Sequence, residues 1–427
     1  MKVLIINAIY GSRSSGRSIA EIKQELENRG DEVFIATPDK ISEKNFYQIG
    51  NKLDHKIHAV MSRVLGLQGY FSIIATLNFI NYIRNIKPDI IHLQVIHGNF
   101  INFSLLMKFI AKEEIPTVFV LDDCWYFTGK CCHYTSSNCY KWKNECSRCA
   151  RKKADNPSWF FDFSKKMYIN KRNRFASLNN YAIITVSDWL KQEVKQSFLH
   201  NAFILKRIYN SIDMTKFQYK KECVQLKKKL GLDSFKIVLG VATSWNDEHG
   251  LSKGLDLFIK LAKMMSTNIK IVLVGKLESK ESLPQNIISI DFVNGAEELA
   301  QYYSMADVFV QMSSEETFGK VTAEALSCGT PVIVFNSTAN PELVGPGCGF
   351  VVENQNVLEV HKYICKILNK TREVYSEKCR EYAMNNFLIS QNVDNYIQVY
   401  HELLDNKHNL SILKKTISDN SYTHFEK

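Results

Sequence analysis

Residues 311–352 carry the sequence QMSSEETFGKVTAEALSCGTPVIVFNSTANPELVGPGCGFVV. An apolar run of strand type, 308–310, comes just before this stretch. A helix is predicted from about Gly319, because apolar residues then recur at helical spacing until Gly329 ends it. The run 332–335 is a second buried strand. The order strand, loop, helix and strand is the unit of a parallel α/β sheet, in which ligands bind at the carboxyl ends of the strands.

This stretch contains two carboxylates, Glu316 in the loop and Glu324 in the helix. Between them, Phe318, Gly319 and Lys320 supply backbone N–H groups at the positive end of the helix, which suits an anion such as a diphosphate. Gly319 also lets the backbone approach a ligand closely. Carboxylates repel phosphate but accept strong hydrogen bonds from sugar hydroxyls. The combination predicts a site for a sugar nucleotide.

The length of 427 residues predicts two or three domains, and 45% apolar residues are enough for two cores. The net charge of +10 comes from 54 basic and 44 acidic residues. Such a charge suits nucleic acid, anionic lipid or phosphorylated substrates. The sequence shows no nucleic-acid motif, so we expect no nucleic-acid partner. A signal peptide and a membrane-spanning run are also not found, and with eleven cysteines this predicts a cytoplasmic location.

The first half begins with a strand, a glycine-rich loop, a helix and a second strand, which is a Rossmann-like start. The loop contains Gly16 and Arg17, which we expect to line a cleft on the acceptor side. An ordinary turn between strand and helix is the open alternative. Two later strands lead into loops that carry His97 and Asp122. Both loops are expected at the carboxyl edge of the same sheet, on the side that faces Glu316.

The second half begins with a buried strand at 236–241, followed by a long loop and a helix. Lys253 lies at the mouth of this unit, where its ammonium group can pair with a diphosphate. An exposed lysine at a helix start is the open alternative. Gly275 ends the next strand and is expected to meet the nucleotide base through its backbone. The predicted domains are 1–208, on the acceptor side; 209–390, which binds the nucleotide sugar; and 391–427, a helix at about 393–404 that packs back on the first domain and a frayed polar tail.

A cysteine-rich insertion at about 124–150 separates two strands of the first domain. Cys146 and Cys149 form a CxxC motif, which is half of a zinc site. Cys131 and Cys139 can complete a tetrahedron of four thiolates, so the sequence predicts a structural zinc ion. Reduced cysteines without a metal are the alternative, because one CxxC is only half a site.

Two segments combine apolar, aromatic and basic residues, namely 51–86 and 155–175. Such segments can present a face to a membrane or to a lipid-linked acceptor, so peripheral contact with the inner face of the cytoplasmic membrane is an expectation. Packing of the same helices into a core is the alternative, because apolar periodicity does not identify the partner.

Taken together, these motifs resemble the family 4 glycosyltransferases, in particular the bacterial members of the colanic-acid or exopolysaccharide-biosynthesis type. The resemblance covers roughly residues 1–400, and its specificity comes from the joint pattern rather than from any single piece. The segments that match in order are Ser14–Arg17, Ile91–Leu93 with His97–Gly98, Asp123–Trp125 with Phe127–Gly129, the insertion Cys131–Cys149, Asn210–Asp213, Lys253–Leu255 and Glu316–Glu324.

The resemblance implies an α/β fold of the GT-B type, in which two Rossmann-like doubly wound domains face a central cleft. It also implies a retaining hexosyltransferase that moves a sugar from a nucleotide-diphosphate donor to a glycan or lipid-linked acceptor in surface polysaccharide synthesis. In this family the first Glu contacts the donor sugar and the second the ribose, which assigns Glu316 and Glu324. Glu316 and Asp122 would then lie at the reacting centre. Lys253 and the amides of 318–320 would hold the diphosphate, so that no cofactor is required for catalysis.

Three departures from the family pattern concern rate and donor identity. The family usually has His at the position of Asp122, where an acid now replaces a group that can donate a hydrogen bond. The loop 242–252 lacks the Arg that usually accompanies the diphosphate lysine, and Ser252 stands where Arg is frequent. Less positive charge beside the leaving diphosphate weakens transition-state stabilisation. The alternatives are a catalytically weak GT-B scaffold or partner subunit that binds a nucleotide sugar or glycan, and a sugar-nucleotide epimerase of similar fold.

Overall fold

A computed structural model describes residues 1–245, 253–277, 283–291, 293 and 295–422, with side chains as far as residue 412. The chain divides into two compact units. The N-terminal unit comprises Met1–Val186, Lys191–Ile208 and Ser390–Lys427. The C-terminal unit comprises Ser187–Leu190 and Tyr209–Ile389.

The N-terminal unit is built on a parallel sheet, which has seven strands in the described residues. They are β1 (Lys2–Ile6), β2 (Glu32–Thr37), β3 (Phe46–Gln48), β4 (Ile90–Leu93), β5 (Thr117–Leu121), β6 (Tyr181–Thr185) and β7 (Ile204–Arg207). Their order is β3-β2-β1-β4-β5-β6-β7, and all neighbouring strands are parallel. The apolar run 3–6 is completely buried, as expected of a strand that helices cover on both faces.

Helices connect these strands. They are α1 (Arg13–Asn28), α2 (Lys52–Leu65), α3 (Ile73–Ile86), α4 (Phe103–Glu113), α5 (Ser164–Ala176) and α6 (Asp188–Lys195). The prediction that Gly16 and Arg17 lie in the loop before the first helix is wrong, because α1 begins at Arg13 and the serines of the glycine-rich stretch form its first turn. The cysteine-rich insertion lies between β5 and α5 and contains only short 3-10 turns, at Thr135–Ser137 and Lys141–Lys143, in place of helices and strands.

The C-terminal unit repeats this architecture. Its strands are β8 (Lys236–Ser244), β9 (Ile269–Lys276), β10 (Ile287–Ile290), β11 (Val308–Gln311), β12 (Val332–Phe335) and β13 (Gly349–Val352). Their order among the described residues is β10-β9-β8-β11-β12-β13, again all parallel. The helices are α7 (Cys223–Lys229), α8 (Leu255–Ala262), α9 (Ala296–Met305), α10 (Lys320–Ser327), α11 (Val357–Leu368) and α12 (Glu373–Phe387).

The last helix, α13 (Ile389–Tyr422), returns the chain to the N-terminal unit. It is held there by Tyr400, whose hydroxyl lies 2.7 Å from Nδ1 of the buried His92. The Leu403 carbonyl also accepts a hydrogen bond of 2.8 Å from Asn180. The helix continues well past the predicted end near residue 404, because no glycine or proline interrupts it before Tyr422. The polar segment predicted as a tail therefore belongs to α13 as far as Tyr422.

Each sheet reverses its strand order once, between β1 and β4 in the N-terminal unit and between β8 and β11 in the C-terminal unit. In open α/β sheets, ligands bind beside such a reversal at the carboxyl ends of the strands. The loops that follow these four strands are therefore the places to search for a site. In the described part of the chain, none of the helices combines the length and the apolar character that crossing a bilayer requires.

Candidate active site

The reversal point of the C-terminal unit holds a lysine and a glutamate in direct contact. Lys253 follows β8 and Glu316 follows β11, and Nζ of the lysine lies 2.6 Å from Oε1 of the glutamate. Gln311, at the end of β11, donates to the same carboxylate oxygen at 2.9 Å. Lys253 also reaches Oγ of Ser313, at 3.5 Å. The topology thus brings together two residues that the sequence singled out separately.

The backbone of the two loops determines the positions of Lys253 and Glu316. Gly254 has φ +82° and precedes α8, and a β-carbon there would lie 2.7 Å from the Met312 carbonyl oxygen. The loops after β8 and β11 can therefore approach each other only with glycine at this position. The backbone N–H of Glu316 donates to Oγ1 of Thr338 at 2.9 Å, which holds the acidic loop against the segment that follows β12.

The predicted helix start is present at Lys320, with Gly319 as its N-cap at φ +90°. The first amides of a helix have no acceptor within the helix, so α10 offers N–H groups and a positive dipole end beside the loop of Glu316. The ring of Phe318 packs into the core between Tyr209 and Phe387, with both ring centroids 5.7 Å away. Phe318 can therefore contribute its amide to a ligand, while its side chain anchors the turn.

Glu324 lies inside the unit rather than on an open surface. Its side chain is 1% exposed, and one carboxylate oxygen accepts a hydrogen bond of 3.0 Å from the hydroxyl of Tyr303. Gly275, at the end of β9, has φ +132°, and a β-carbon there would lie 2.0 Å from the carbonyl oxygen of Ala242. The close approach of β8 and β9 therefore requires glycine at position 275, independently of any contact that its backbone makes with a nucleotide base.

In the N-terminal unit, Asp122 and His97 each have a close partner. Asp122 follows β5, and its Oδ2 accepts a hydrogen bond of 2.6 Å from the side chain of Gln94, which follows β4. His97 Nε2 lies 2.8 Å from Oδ2 of Asp123, and these side chains are 19% and 15% exposed. The Trp125 amide donates to the other oxygen of Asp123 at 2.8 Å.

The surroundings of Asp123 favour its ionised form. Burial would raise the pKa of Asp123, but the charge of His97, its hydrogen bond and the Trp125 amide outweigh burial. The pKa of Asp123 therefore lies below its ordinary value, and the carboxylate stays ionised beside the imidazole. This places a fixed negative charge next to Asp122, so the loop after β5 is acidic at the position where the sequence shows acid in place of the expected His.

Gly16 and Arg17 lie in the first turns of α1. Gly16 is buried, and a β-carbon there would lie 2.9 Å from the side chain of Ile9. Arg17 is half-buried, and its Nε donates to the Arg13 carbonyl at 3.3 Å. Gly16 is thus required by packing of the helix start against the loop after β1.

Comparison with known proteins supplies the class of enzyme. The family model described as Glycosyltransferase Family 4 matches residues 15–216, and the model described as Glycosyl transferases group 1 matches residues 225–387. The chain is a glycosyltransferase of family 4. Each of the two units carries one of the two matches, with the first covering β2 to β7 and the second covering β8 to α12.

Characterised relatives of this glycosyltransferase show where the similarity lies. It is 24% identical over 369 residues to the alpha-monoglucosyldiacylglycerol synthase of Acholeplasma laidlawii, covering 83% of this chain and 85% of that one. It is 22% identical over 284 residues to WcaC of Escherichia coli K12, a putative colanic acid biosynthesis glycosyl transferase, covering 65% and 67%. The structure of HepE from Anabaena with UDP and glucose superposes with a TM-score of 0.64 at 16% identity, covering 94% and 100%. The predicted α/β fold of two doubly wound domains is confirmed.

In the cysteine-rich insertion, two of the four predicted zinc ligands lie close together. Cys131 Sγ and Cys149 Sγ lie 3.9 Å apart, and all eleven cysteines of the sequence are free. Among the described residues, a different group has its potential ligand atoms closer together. His97, Asp123 and Cys132 have ligand atoms within 4.8 Å of one another, whereas no three members of the predicted cysteine set do.

Several contacts of the glycosyltransferase were not anticipated from its sequence. Gln311, Asp123 and Tyr303 hold Glu316, His97 and Glu324 respectively. Asn7, directly after β1, accepts a hydrogen bond of 2.9 Å from the Val95 amide and so joins the two loops at the N-terminal reversal point. A polar residue ending a buried strand was the available signal for Gln311 and Asn7. The missing Arg of the 242–252 loop and the Ser252 departure fall on residues 246–252, outside the described residues.

Proposed function

We propose that this glycosyltransferase moves a sugar from a nucleotide-diphosphate donor to a hydroxyl of a glycan or lipid-linked acceptor, with retention of configuration, in the synthesis of a bacterial surface polysaccharide. The observation that carries the proposal is the contact of Lys253 with Glu316 at the reversal point of the C-terminal sheet. An ammonium group, a carboxylate and a helix N-terminus at one place match the diphosphate and hydroxyl groups of a sugar nucleotide. The HepE structure that this chain resembles in fold contains UDP and glucose.

In the proposed mechanism, Lys253 and the first amides of α10 bind the diphosphate and stabilise the charge that develops as it leaves. This is the task that a divalent cation performs in other transferases. Glu316 is released from Lys253 when the donor binds, and its carboxylate then accepts hydrogen bonds from hydroxyls of the sugar. Glu324 binds the ribose, and the hydroxyl of Tyr303 holds its carboxylate in place. Gly275 lies at the carboxyl end of β9, where its backbone can meet the base.

The N-terminal unit is proposed to bind the acceptor. Asp122 and the pair of His97 and Asp123 stand at the carboxyl ends of its strands, and Gly16 and Arg17 begin the helix after β1. In this assignment Asp122 orients the reacting hydroxyl, held by the amide of Gln94 at 2.6 Å. The family usually carries His at the position of Asp122, and a carboxylate cannot donate the hydrogen bond that His can, so we expect slower turnover than in members that carry His.

The acceptor's lipid is proposed to meet an exposed apolar face of the N-terminal unit. The residues of this face lie on α2, on α3 and just before α5, and they are 47% to 74% exposed: Leu53, Ile57, Val60, Ile73, Ile74, Leu77, Trp159, Phe160 and Phe161. The three parts are neighbours, since the Trp159 amide donates to the Arg63 carbonyl at 2.6 Å, and His58 of α2 lies 2.7 Å from Ser72, which precedes α3.

Basic groups accompany this apolar face. Lys52, Lys56 and Arg63 are exposed on α2, and Nζ of Lys152 donates to the Phe160 carbonyl at 3.1 Å. Apolar side chains bordered by lysine and arginine are the composition that binds anionic bilayers. We therefore propose that the enzyme binds the cytoplasmic surface of the membrane through this face.

Donor turnover tests the catalytic proposal. Purified enzyme is offered UDP- and GDP-linked hexoses one at a time with a membrane-lipid extract as acceptor, and donor loss and new glycolipid are followed by mass spectrometry. One donor should be consumed, and the product should keep the donor's anomeric configuration by NMR. Lys253→Met and Glu316→Gln should each lower the rate of transfer by about 100-fold or more. An enzyme that binds a donor without turnover would favour the scaffold alternative, and unchanged rates in both variants would refute the assignment.

Sedimentation with vesicles tests the membrane proposal separately. Wild type should pellet with vesicles that contain phosphatidylglycerol but not with neutral vesicles. Ile74→Asp and Phe160→Asp should abolish pelleting. Leu358→Asp is the matched control, because Leu358 is 72% exposed but lies on α11 of the C-terminal unit. Equal loss in the control variant, or binding by all variants, would contradict the proposed surface.

A further inference from the structure

The cysteine-rich insertion contains a geometry that glycosyl transfer does not explain. Cys131 Sγ and Cys149 Sγ are 3.9 Å apart. A disulfide requires about 2.05 Å, so the two sulfurs are not an oxidised pair. In a tetrahedral zinc site with Zn–S bonds of about 2.3 Å, neighbouring sulfurs are separated by 1.63 bond lengths, or about 3.8 Å. The observed separation equals one edge of such a tetrahedron.

The CxxC turn also has the form expected of a metal-binding loop. Arg148, the residue before the second cysteine, adopts φ +46°, a left-handed conformation that is strained for a non-glycine residue. Backbone amides point at both sulfurs, from Gly129 to Cys146 at 3.2 Å and from Arg151 to Cys149. Hydrogen bonds from backbone amides to ligand sulfurs are a usual outer set of contacts around a metal site.

The charges buried around these sulfurs require a counter-charge. Lys130 and Lys171 are each 3% exposed. In the described part of the chain neither ammonium is paired with a carboxylate, and each donates to backbone carbonyls instead, Lys130 to Lys152 at 2.7 Å and Lys171 to Trp125 at 2.6 Å. Unpaired buried charges are costly. Zinc with four thiolates carries a net charge of −2, which balances two ammonium groups.

We propose that Cys131, Cys139, Cys146 and Cys149 bind one zinc ion as a structural site. Cys139 is assigned as the fourth ligand because the other two cysteines of the insertion are placed elsewhere. Cys124 is completely buried in the core, and Cys132 Sγ lies 3.9 Å from the imidazole of His97. The four sulfurs contract around the ion, since three of them are not yet within 4.8 Å of one another. The ion and its two lysines fix the loop that follows Asp122.

The lysine contacts show how the metal acts on that loop. Lys171 of α5 donates to the carbonyls of Trp125, Thr128 and Gly129, at 2.6, 3.1 and 3.4 Å, and its Nζ lies 3.4 Å from the centre of the Trp125 ring. The net negative charge of a zinc tetrathiolate would attract this ammonium group and so help to hold it in place. The site therefore positions the loop of Asp122 without touching substrate.

The competing group of His97, Asp123 and Cys132 is less suited to a structural ion. It offers three ligands, whereas structural zinc sites are closed by four. Its short contact, 2.8 Å between the imidazole and the carboxylate, is a hydrogen-bonded ion pair that already satisfies both groups. Cys132 Sγ is 3.9 Å from the imidazole nitrogen. The two sites share no residue, so variants separate them.

The test measures zinc in untagged enzyme purified without chelator. Wild type should contain one zinc per chain by plasma mass spectrometry, and Cys139→Ser and Cys149→Ser should lose it. Cys132→Ser is the matched control and should retain it. Cobalt-substituted wild type should show the thiolate charge-transfer and ligand-field bands of tetrahedral coordination, which keeps the test valid if a variant fails to fold. Zinc-free wild type, or loss of zinc in Cys132→Ser but not in Cys139→Ser, would overturn the proposal.

Hydrogen exchange then tests the positioning role. Removal of zinc from wild type by a mercurial reagent should accelerate exchange of the amides at 124–129, while those of β1 stay protected. Uniform loss of protection across the N-terminal unit, or no change at 124–129, would contradict a role in holding the loop.

Discussion

Replacement of Glu316 by Gln should weaken catalysis but strengthen the binding of a bare nucleoside diphosphate. In the structure the ammonium group of Lys253 is occupied by Glu316 at 2.6 Å. A diphosphate must displace this carboxylate to reach the lysine. UDP and GDP carry no donor sugar, so they gain nothing from Glu316 in return. Removal of the carboxylate's charge therefore leaves Lys253 available at no cost to the nucleotide.

The magnitude follows from the distance and the exposure of the pair. At 2.6 Å and an effective dielectric constant of about 20, the Coulomb attraction is at most about 6 kcal/mol. The side chains are 30% and 17% exposed, so solvation and side-chain entropy reduce the net value. Charged hydrogen bonds of this exposure contribute about 1 to 2 kcal/mol. Glu316→Gln should therefore lower the Kd for the diphosphate by about 5- to 30-fold.

Isothermal titration of UDP and GDP into each variant checks this value. Lys253→Met alone should bind the diphosphate more weakly than wild type, and Glu316→Gln combined with Lys253→Met should show none of the gain. Asp256→Asn is the control for a general change of charge, because Asp256 is an exposed acid in the first turn of α8. Transfer by Glu316→Gln should nevertheless fall by about 100-fold or more, since the sugar contact is lost. If Glu316→Gln binds UDP and GDP no more tightly than wild type, Glu316 does not compete with the diphosphate for Lys253.

Three further outcomes are expected. Burial lowers the pKa of His92 to about 3, so between about pH 6.5 and pH 3 the unfolded chain takes up a proton that the folded chain does not. The free energy of unfolding should therefore fall by about 2 kcal/mol between pH 7.5 and pH 5. Thermal midpoints at these two pH values check this, and His92→Asn should lose less. Gly275→Ala should cost about 3 kcal/mol in urea unfolding, whereas Gly295→Ala, at φ +95° with open space around it, should cost less. Tyr303→Phe removes the hydrogen bond to Glu324 and should raise the donor KM about tenfold at unchanged kcat, which steady-state kinetics will show.

The strands, and the helix start that follows the acidic loop, could be predicted because they depend on local sequence. Apolar runs such as 332–335 and the glycines at helix starts are recognisable without knowledge of partners. Side-chain partners depend on topology instead. Lys253 and Glu316 are in contact only because β8 and β11 are neighbours in the sheet. The sequence of neither loop predicts that strand order.

The same limit explains the residues that sequence reasoning missed. Tyr303 reads as one apolar residue of α9, and only the packing of α9 beside α10 brings its hydroxyl to Glu324. Lys171 reads as a surface lysine of α5, but the insertion buries it to 3% exposure. The polar sequence after residue 404 predicts a tail, but it contains no glycine or proline, and α13 extends to Tyr422.

The two reversal points differ in chemistry although they share a topology. At the N-terminal one, Asn7 and Gln94 are neutral amides that tie the loops to each other and to Asp122. At the C-terminal one, Lys253 and Glu316 form a charged pair. A neutral hydrogen-bonding rim with a fixed carboxylate suits an uncharged hydroxyl, whereas a displaceable ammonium suits an anion. The proposed division of donor and acceptor between the two units therefore agrees with the side chains that follow β1, β4, β8 and β11. Exchange of Gln94 for Lys should favour anions where the acceptor is proposed to bind.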